Sequence, residues 1–250
     1  MGSVVTEALV EYAAPRPGMH VLDLASGTGE PGITLAQRVG PHGRVTAVDL
    51  SAELLELAAQ RARNKKLPNF STHQADAHKL PFPDESFDLA TCRFGVMFFA
   101  DVNQALAELR RVLKPGARAR FVVWGSIEQP YWQSTMKIVH RHVGGTMFEP
   151  GGADPFRFSA KGSLSEALRA VGFREVEESE RTVPWVWQGS AEEVLEYASA
   201  VSTPFRAMLE RVPPEKWPAV RADACKAIDQ YRVGDEIQFG AVVVFGSGKA

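Results

Sequence analysis

Apolar and polar positions along the chain follow two alternating rhythms. Short runs rich in Val, Leu and Phe have the length and composition of strands. Each is followed by a stretch whose apolar residues recur every three or four positions. The runs predict strands over 19–24, 43–50, 69–75, 86–94, 117–125, 173–183 and 237–246. The intervening stretches predict helices near 3–13, 31–39, 51–63 and 101–113, and another with Leu164, Ala167, Leu168 and Val171 on one face. Local signals mark the helix starts. Asp101 with Gln104, and Ser190 with Glu193, resemble capping boxes, and Ser51 caps the helix after the second strand. Pro31 suits the first position of its helix, and Thr203-Pro204 reads as a cap followed by a first helical residue.

Alternating strands and helices imply right-handed crossovers, hence an α/β fold with a doubly wound, mainly parallel sheet of seven strands. The whole chain, 1–250, reads as one domain, with residues 1–125 as its cofactor-binding half. Residues 126–160 and 183–236 read as lid or acceptor-binding elements. The second of these is a helical insertion before the last strand, packed over the sheet's ligand edge.

Composition narrows the function classes. The 250 residues are 45% hydrophobic and 23% charged, enough for a sizeable core. A formal net charge of -2 provides no field to draw nucleic acid or an anionic membrane. Cys92 and Cys225 are too few for a disulfide framework and lack partners at metal-site spacing, so no metal is expected. No apolar run approaches the ~20 residues that span a bilayer, and no signal peptide opens the chain. The expected location is the cytoplasm, without stable membrane association.

The candidate chemistry begins at "VLDLASGTGEPG", residues 21–32, with Gly27-x-Gly29-x-x-Gly32 directly after the first strand. Glycines there let the backbone approach a ligand at the carboxyl end of the sheet. A dinucleotide would place its pyrophosphate at the next helix N-terminus, where Asp23 would repel it. An aspartate at that strand end suits a cationic group, an amine or a sulfonium. Asp49, closing the second strand, is placed to accept ribose hydroxyls, and Asp76, closing the third in "HQADAHKLPF", to accept from an adenine amino group. Acids at three successive strand ends would address the amino acid, ribose and base of S-adenosylmethionine, not of NAD.

"VLDLASGTGEPG", "VTAVDLS", "QADAHKLPFPDESFDLATCRFGVMFF" and "ELRRVLKPGARARFVVW" resemble the successive motifs of class I S-adenosylmethionine-dependent methyltransferases. Within these they resemble the branch of ubiquinone/menaquinone-biosynthesis C-methyltransferases. The resemblance implies a Rossmann-like methyltransferase fold and methyl transfer from S-adenosylmethionine, with S-adenosylhomocysteine as product. The acceptor it implies is a small molecule such as a quinone precursor or phenol. It also implies that Asp23, Ala25, Gly27 and Gly29 surround the methionine part and that Asp49 holds the ribose. Leu50 would pack on the adenine, Asp76 and Ala77 would contact its edge, and Arg93 would line the site. Ala25 stands where many members have glycine, so its backbone should avoid strongly positive φ. Only about one helix precedes the first strand. Closure of the site is therefore expected from a partner subunit, with a homodimer as the candidate assembly.

His140 and His142 are the candidates for a general base, needed only if the acceptor must lose a proton. Tyr131, Trp132, Met136, Met147 and Phe148 read equally as walls of an apolar acceptor pocket and as anchors of a lid helix. Three rival functions carry distinct expectations. A nicotinamide oxidoreductase is opposed by Asp23 and Asp76. A nucleic-acid methyltransferase requires a basic face that this composition lacks. A non-catalytic S-adenosylmethionine-binding protein fits the same motifs.

Overall fold

A computed structural model describes residues 2–148 and 152–250. Eight strands are present among them: β1 (His20–Leu24), β2 (Arg44–Asp49), β3 (Phe70–Gln74), β4 (Phe87–Arg93), β5 (Leu113–Trp124), β6 (Arg174–Gln188), β7 (Arg232–Val233) and β8 (Glu236–Lys249). They form one sheet in the order β3-β2-β1-β4-β5-β8-β6, with β7 paired to β8. The expected seven strands are all there. The eighth, β7, is a two-residue ladder that turns the chain into β8. Strands β1 to β5 are parallel, and β8 runs antiparallel between β5 and β6.

Helices α1 (Gly2–Ala13), α2 (Gly32–Val39) and α3 (Ala52–Asn64) cover one face of the sheet. Helices α4 (Val102–Val112) and α7 (Ser163–Ala170) cover the other. The period-2 pleat explains the division. Val21, Val45 and Leu89 pack with Val10, Leu35, Ala36 and Val39 of α1 and α2. Leu22, Leu24, Ala90 and Cys92 pack into the main core on the opposite face. The chain lays β2 and β3 to one side of β1, then returns to lay β4 on the other. The switch point, where ligands bind in such sheets, therefore lies between the carboxyl ends of β1 and β4.

The remaining helices are α5 (Pro130–Ser134), α6 (Met136–Val143), α8 (Ala191–Val201), α9 (Arg206–Glu210) and α10 (Trp217–Asp229). They gather on a long hairpin. β6 and β8 stay paired out to Gln188 and Glu236, beyond the last β5–β8 pair of Trp124 with Val243. The hairpin therefore projects past the carboxyl edge of the sheet as a wall. Residues 183–188 belong to this strand and not to the helical insertion, which begins with α8. Pro184 suggests a break but is tolerated because β6 is an edge strand, where a missing N–H costs no ladder bond.

Tyr131, Trp132, Met136, Trp185, Phe205 and Phe239 are buried against the wall. Trp132 stacks on Phe205 and meets Trp124 edge-on, and each such pair contributes about 0.5–1.5 kcal/mol beyond area burial. Met147 and Phe148 pack onto the same cluster. These aromatics pack as one cluster that joins α5 to the β6–β8 wall.

Ser51 caps α3, and the Ser190–Glu193 capping box is complete. At α4 only half a box forms. Asp101 accepts from the Gln104 amide, while the Gln104 side chain turns away to the carbonyl of His78. Pro31 sits one residue ahead of α2, and Pro204 lies in a 3-10 turn before α9 that Thr203 does not cap.

Candidate cofactor site

The floor of the site is the β1 tip. Asp23 is fully buried, its Oδ2 accepting from the Gly32 amide at 2.9 Å and its Oδ1 from the Thr91 hydroxyl at 2.8 Å. Burial pushes its carboxyl up to about 7, against the lowering effect of Thr91, Gly32 and the Arg93 guanidinium. Gly32 is glycine for this contact: a Cβ there would lie 2.9 Å from Asp23 Oδ2 and 3.0 Å from the Phe70 ring. The pleat aims its carboxyl under the loop toward α2, where it holds the glycine turn in place from beneath.

The backbone expectation for Ala25 is corrected. Its φ is 54°, in the left-handed region that its Cβ disfavours. The main chain leaves β1 sharply here, and Gly95 makes room: a Cβ on Gly95 would sit 2.4 Å from that of Ala25. Phe94, on the other side of the switch point, has φ 56°. Two strained residues flank the cleft, a pattern found where surrounding structure enforces a functional turn.

Asp49 ties the second strand to the loop. Its Oδ2 accepts from the Gly27 amide at 2.8 Å and its Oδ1 from the Ser51 amide at 3.0 Å. Each oxygen keeps a second lone pair for a ligand hydroxyl. Gly27 has φ 54°, and a Cβ there would meet open space, so glycine is favoured there by conformation alone. Gly29 has φ 105°, and an added Cβ would also strike Ile33 at 2.7 Å.

Beside Asp49 opens a cavity of about 640 Å³, within the range of small-molecule sites. It is lined by Ala25, Asp49, Leu50, Asp76 and Ala77, with His78 and the segment from Phe98 to Gln104 opposite. Leu50 is 66% exposed, an apolar side chain left on the lip. A cavity of about 750 Å³ also exists at the amino end of the sheet, lined by Arg16, Lys114, Arg118 and Arg120. It is on the wrong edge for the expected ligand and contains none of the expected residues.

Arg93 reaches the β4 tip but not this cavity. Its Nε donates to the Glu30 carbonyl, and its charge is surrounded by Asp23, Glu30 and Tyr197. His140 and His142 are displaced from the cleft. His142 Nε2 pairs with Asp223 of α10 at 2.9 Å, and His140 Nε2 bonds the Gly145 carbonyl at 2.8 Å. Their helix α6 buries Met136, Ile138 and Val139, and both histidines are half-buried, His142 against α10.

His78 and Gln104 are polar residues of the cavity missed by motif reading. His78 could have been noticed two positions after Asp76. Gln104 arrives only through tertiary packing. Among the described residues no helix is long and apolar enough to cross a membrane, and no cluster of three or more ligating side chains could hold a metal ion.

Residues 21–116 match the model of a methyltransferase domain. A ubiquinone/menaquinone biosynthesis C-methyltransferase of Cupriavidus metallidurans is 33% identical over 180 residues, 67% of this chain and 72% of that one. A 2-phytyl-1,4-naphthoquinone methyltransferase of Nostoc is 44% identical over 114 residues, 45% of this chain. The match spans half of that relative's length. The YcgJ protein of Bacillus subtilis shares the fold at a TM-score of 0.62 and 21% identity, with 98% of this chain and 97% of that one covered. With its motifs in this geometry, the chain belongs to the class I S-adenosylmethionine-dependent methyltransferases and resembles, within them, the quinone C-methyltransferase branch.

Proposed function

We propose that the protein binds S-adenosylmethionine along the carboxyl edge of β1 to β4 and transfers its methyl group to a small apolar acceptor, a quinone precursor or phenol. One observation carries the reading: Asp49, Leu50, Asp76 and Ala77 converge on one cavity beside the glycine loop. The residues fit the cofactor. Asp49 retains lone pairs for the ribose hydroxyls, Leu50 presents an uncovered apolar face for the base, and Ser26 keeps a buried hydroxyl with no partner among the described residues.

When bound, the cofactor supplies a methyl group on a positively charged sulfur, activated for in-line displacement. The protein's contribution is positioning, which can provide much of such an acceleration. Asp23 fixes the loop from beneath, Ala25 and Gly27 bring the main chain to the ligand, and Asp49 locks loop to ribose. The acceptor side lies where α8 meets the β4 tip. There Arg93 lies near Tyr197, and Tyr197 packs on Trp187, whose indole N–H is buried without a partner among the described residues. His140 and His142 bond the Gly145 carbonyl and Asp223 and do not line the cavity, so this reading assigns them no proton transfer. An acceptor that ionises readily, as a phenol or hydroquinone does, suits such a site.

Calorimetry with S-adenosylmethionine, S-adenosylhomocysteine and NAD tests the cofactor; the first two should bind and NAD should not. A methyl-transfer screen over quinones, phenols, amines and fatty acids tests the acceptor. Binding without transfer to any of them would favour the non-catalytic reading. The two free cysteines accord with a reducing compartment such as the cytoplasm. A second copy of the chain completes closure of the site in this reading. Light scattering should then show a homodimer.

A further inference from the structure

Asp76 is held in an unusual way. Its Oδ1 accepts twice from one residue, from the His78 amide at 2.9 Å and from the His78 ring Nδ1 at 2.5 Å. These bonds fill both lone pairs of that oxygen and hold the carboxyl below the usual carboxylate range. Oδ2 has no protein partner among the described residues, and Asp76 lines the cavity. The oxygen left for a ligand is therefore chosen by His78.

The far side of the same ring is also engaged. The Asp101 amide donates to His78 Nε2 at 3.1 Å, so Nε2 must carry a lone pair and the proton must be on Nδ1. Gln104 Nε2 donates to the His78 carbonyl at 3.0 Å, and the ring meets Phe99 edge-on. His78 thus cross-links the loop after β3 to the first turn of α4, the two walls that enclose the cavity.

We infer that His78 is a positioning residue for base recognition. As the neutral Nδ1–H tautomer it presents Asp76 Oδ2 as a fixed, acceptor-only group, and so selects a 6-amino purine over a 6-oxo purine. The inference rests on the cofactor reading above. A 6-amino group donates to the carboxylate, whereas a 6-oxo group sets acceptor against acceptor. Losing a hydrogen bond to a charged group weakens binding about 10- to 100-fold.

The test is calorimetry of S-adenosylhomocysteine and its 6-oxo analogue, S-inosylhomocysteine, on the wild type and on His78→Asn, His78→Gln and His78→Phe. The wild type should prefer the adenine form by that factor. Asparagine places an amide N–H near the Nδ1 position and should keep most of the preference. Glutamine reaches the Nε2 position instead and should lose it, as should phenylalanine. A purely structural histidine would make the two amide variants behave alike. Equal discrimination in His78→Gln and the wild type overturns the inference, and this pair decides even if His78→Phe fails to fold. A wild type that binds both nucleosides equally also overturns it while leaving the cofactor reading intact. A wild type that binds neither overturns both.

Discussion

Replacing Asp23 by asparagine should flatten the pH dependence of stability on the acid side of neutrality. The carboxyl sits in the folded protein near 7 against an ordinary value of 3.8. The native state therefore keeps a proton that the unfolded chain releases. Stability from this group is fully present below the unfolded value and is lost as pH rises through the folded one. Between about pH 5 and about pH 7.5 the loss amounts to roughly 1.5–3 kcal/mol. In a domain of this size that lowers Tm by roughly 3–10 °C.

An asparagine amide is neutral throughout this range. Its oxygen can accept from the Gly32 amide, and its NH2 can donate to the Thr91 hydroxyl once that hydroxyl rotates. All other titrating groups are common to both proteins and cancel in the comparison. Thermal melts followed by circular dichroism, run on both proteins across this range, read the difference directly. The wild type should lose more stability than Asp23→Asn as pH rises. Parallel curves would show that Asp23 holds no extra proton. A wild type that gains relative to the variant would reverse the sign and refute burial as the dominant influence.

Asp49→Ala should weaken S-adenosylhomocysteine binding about 10- to 100-fold by calorimetry, since it removes the ribose acceptor and frees the Gly27 and Ser51 amides. Gly32→Ala forces a Cβ against Asp23 and Phe70 and should cost about 1–3 kcal/mol in urea unfolding; an unchanged midpoint would mean the loop has room. His140→Ala and His142→Ala should leave kcat on any identified acceptor within about twofold. A loss of about 100-fold or more would return one of them to the site as a base.

The scaffold was legible because its signals are local. Strand and helix rhythms, the Ser51 cap and the Ser190–Glu193 box depend on residues within a few positions of each other, and all appear where the pattern puts them. The strand tips were legible too: parallel register aligns Asp49 with Gln74 and carries Asp76 to the same edge. What the pattern leaves open is direction. Asp23 and Asp49 each end a strand beside the same loop, yet the pleat buries one under α2 and leaves the other at the cavity. The backbone rule for Ala25 failed because packing across the switch point outweighs a Cβ penalty of about 1–2 kcal/mol. Nor could the pattern say that the rings of His140 and His142 would meet the Gly145 carbonyl and Asp223. His78 shows the converse. Its role depends on Asp101, 23 residues onward, whose amide reads the ring's unprotonated nitrogen and so decides which oxygen of Asp76 a ligand meets.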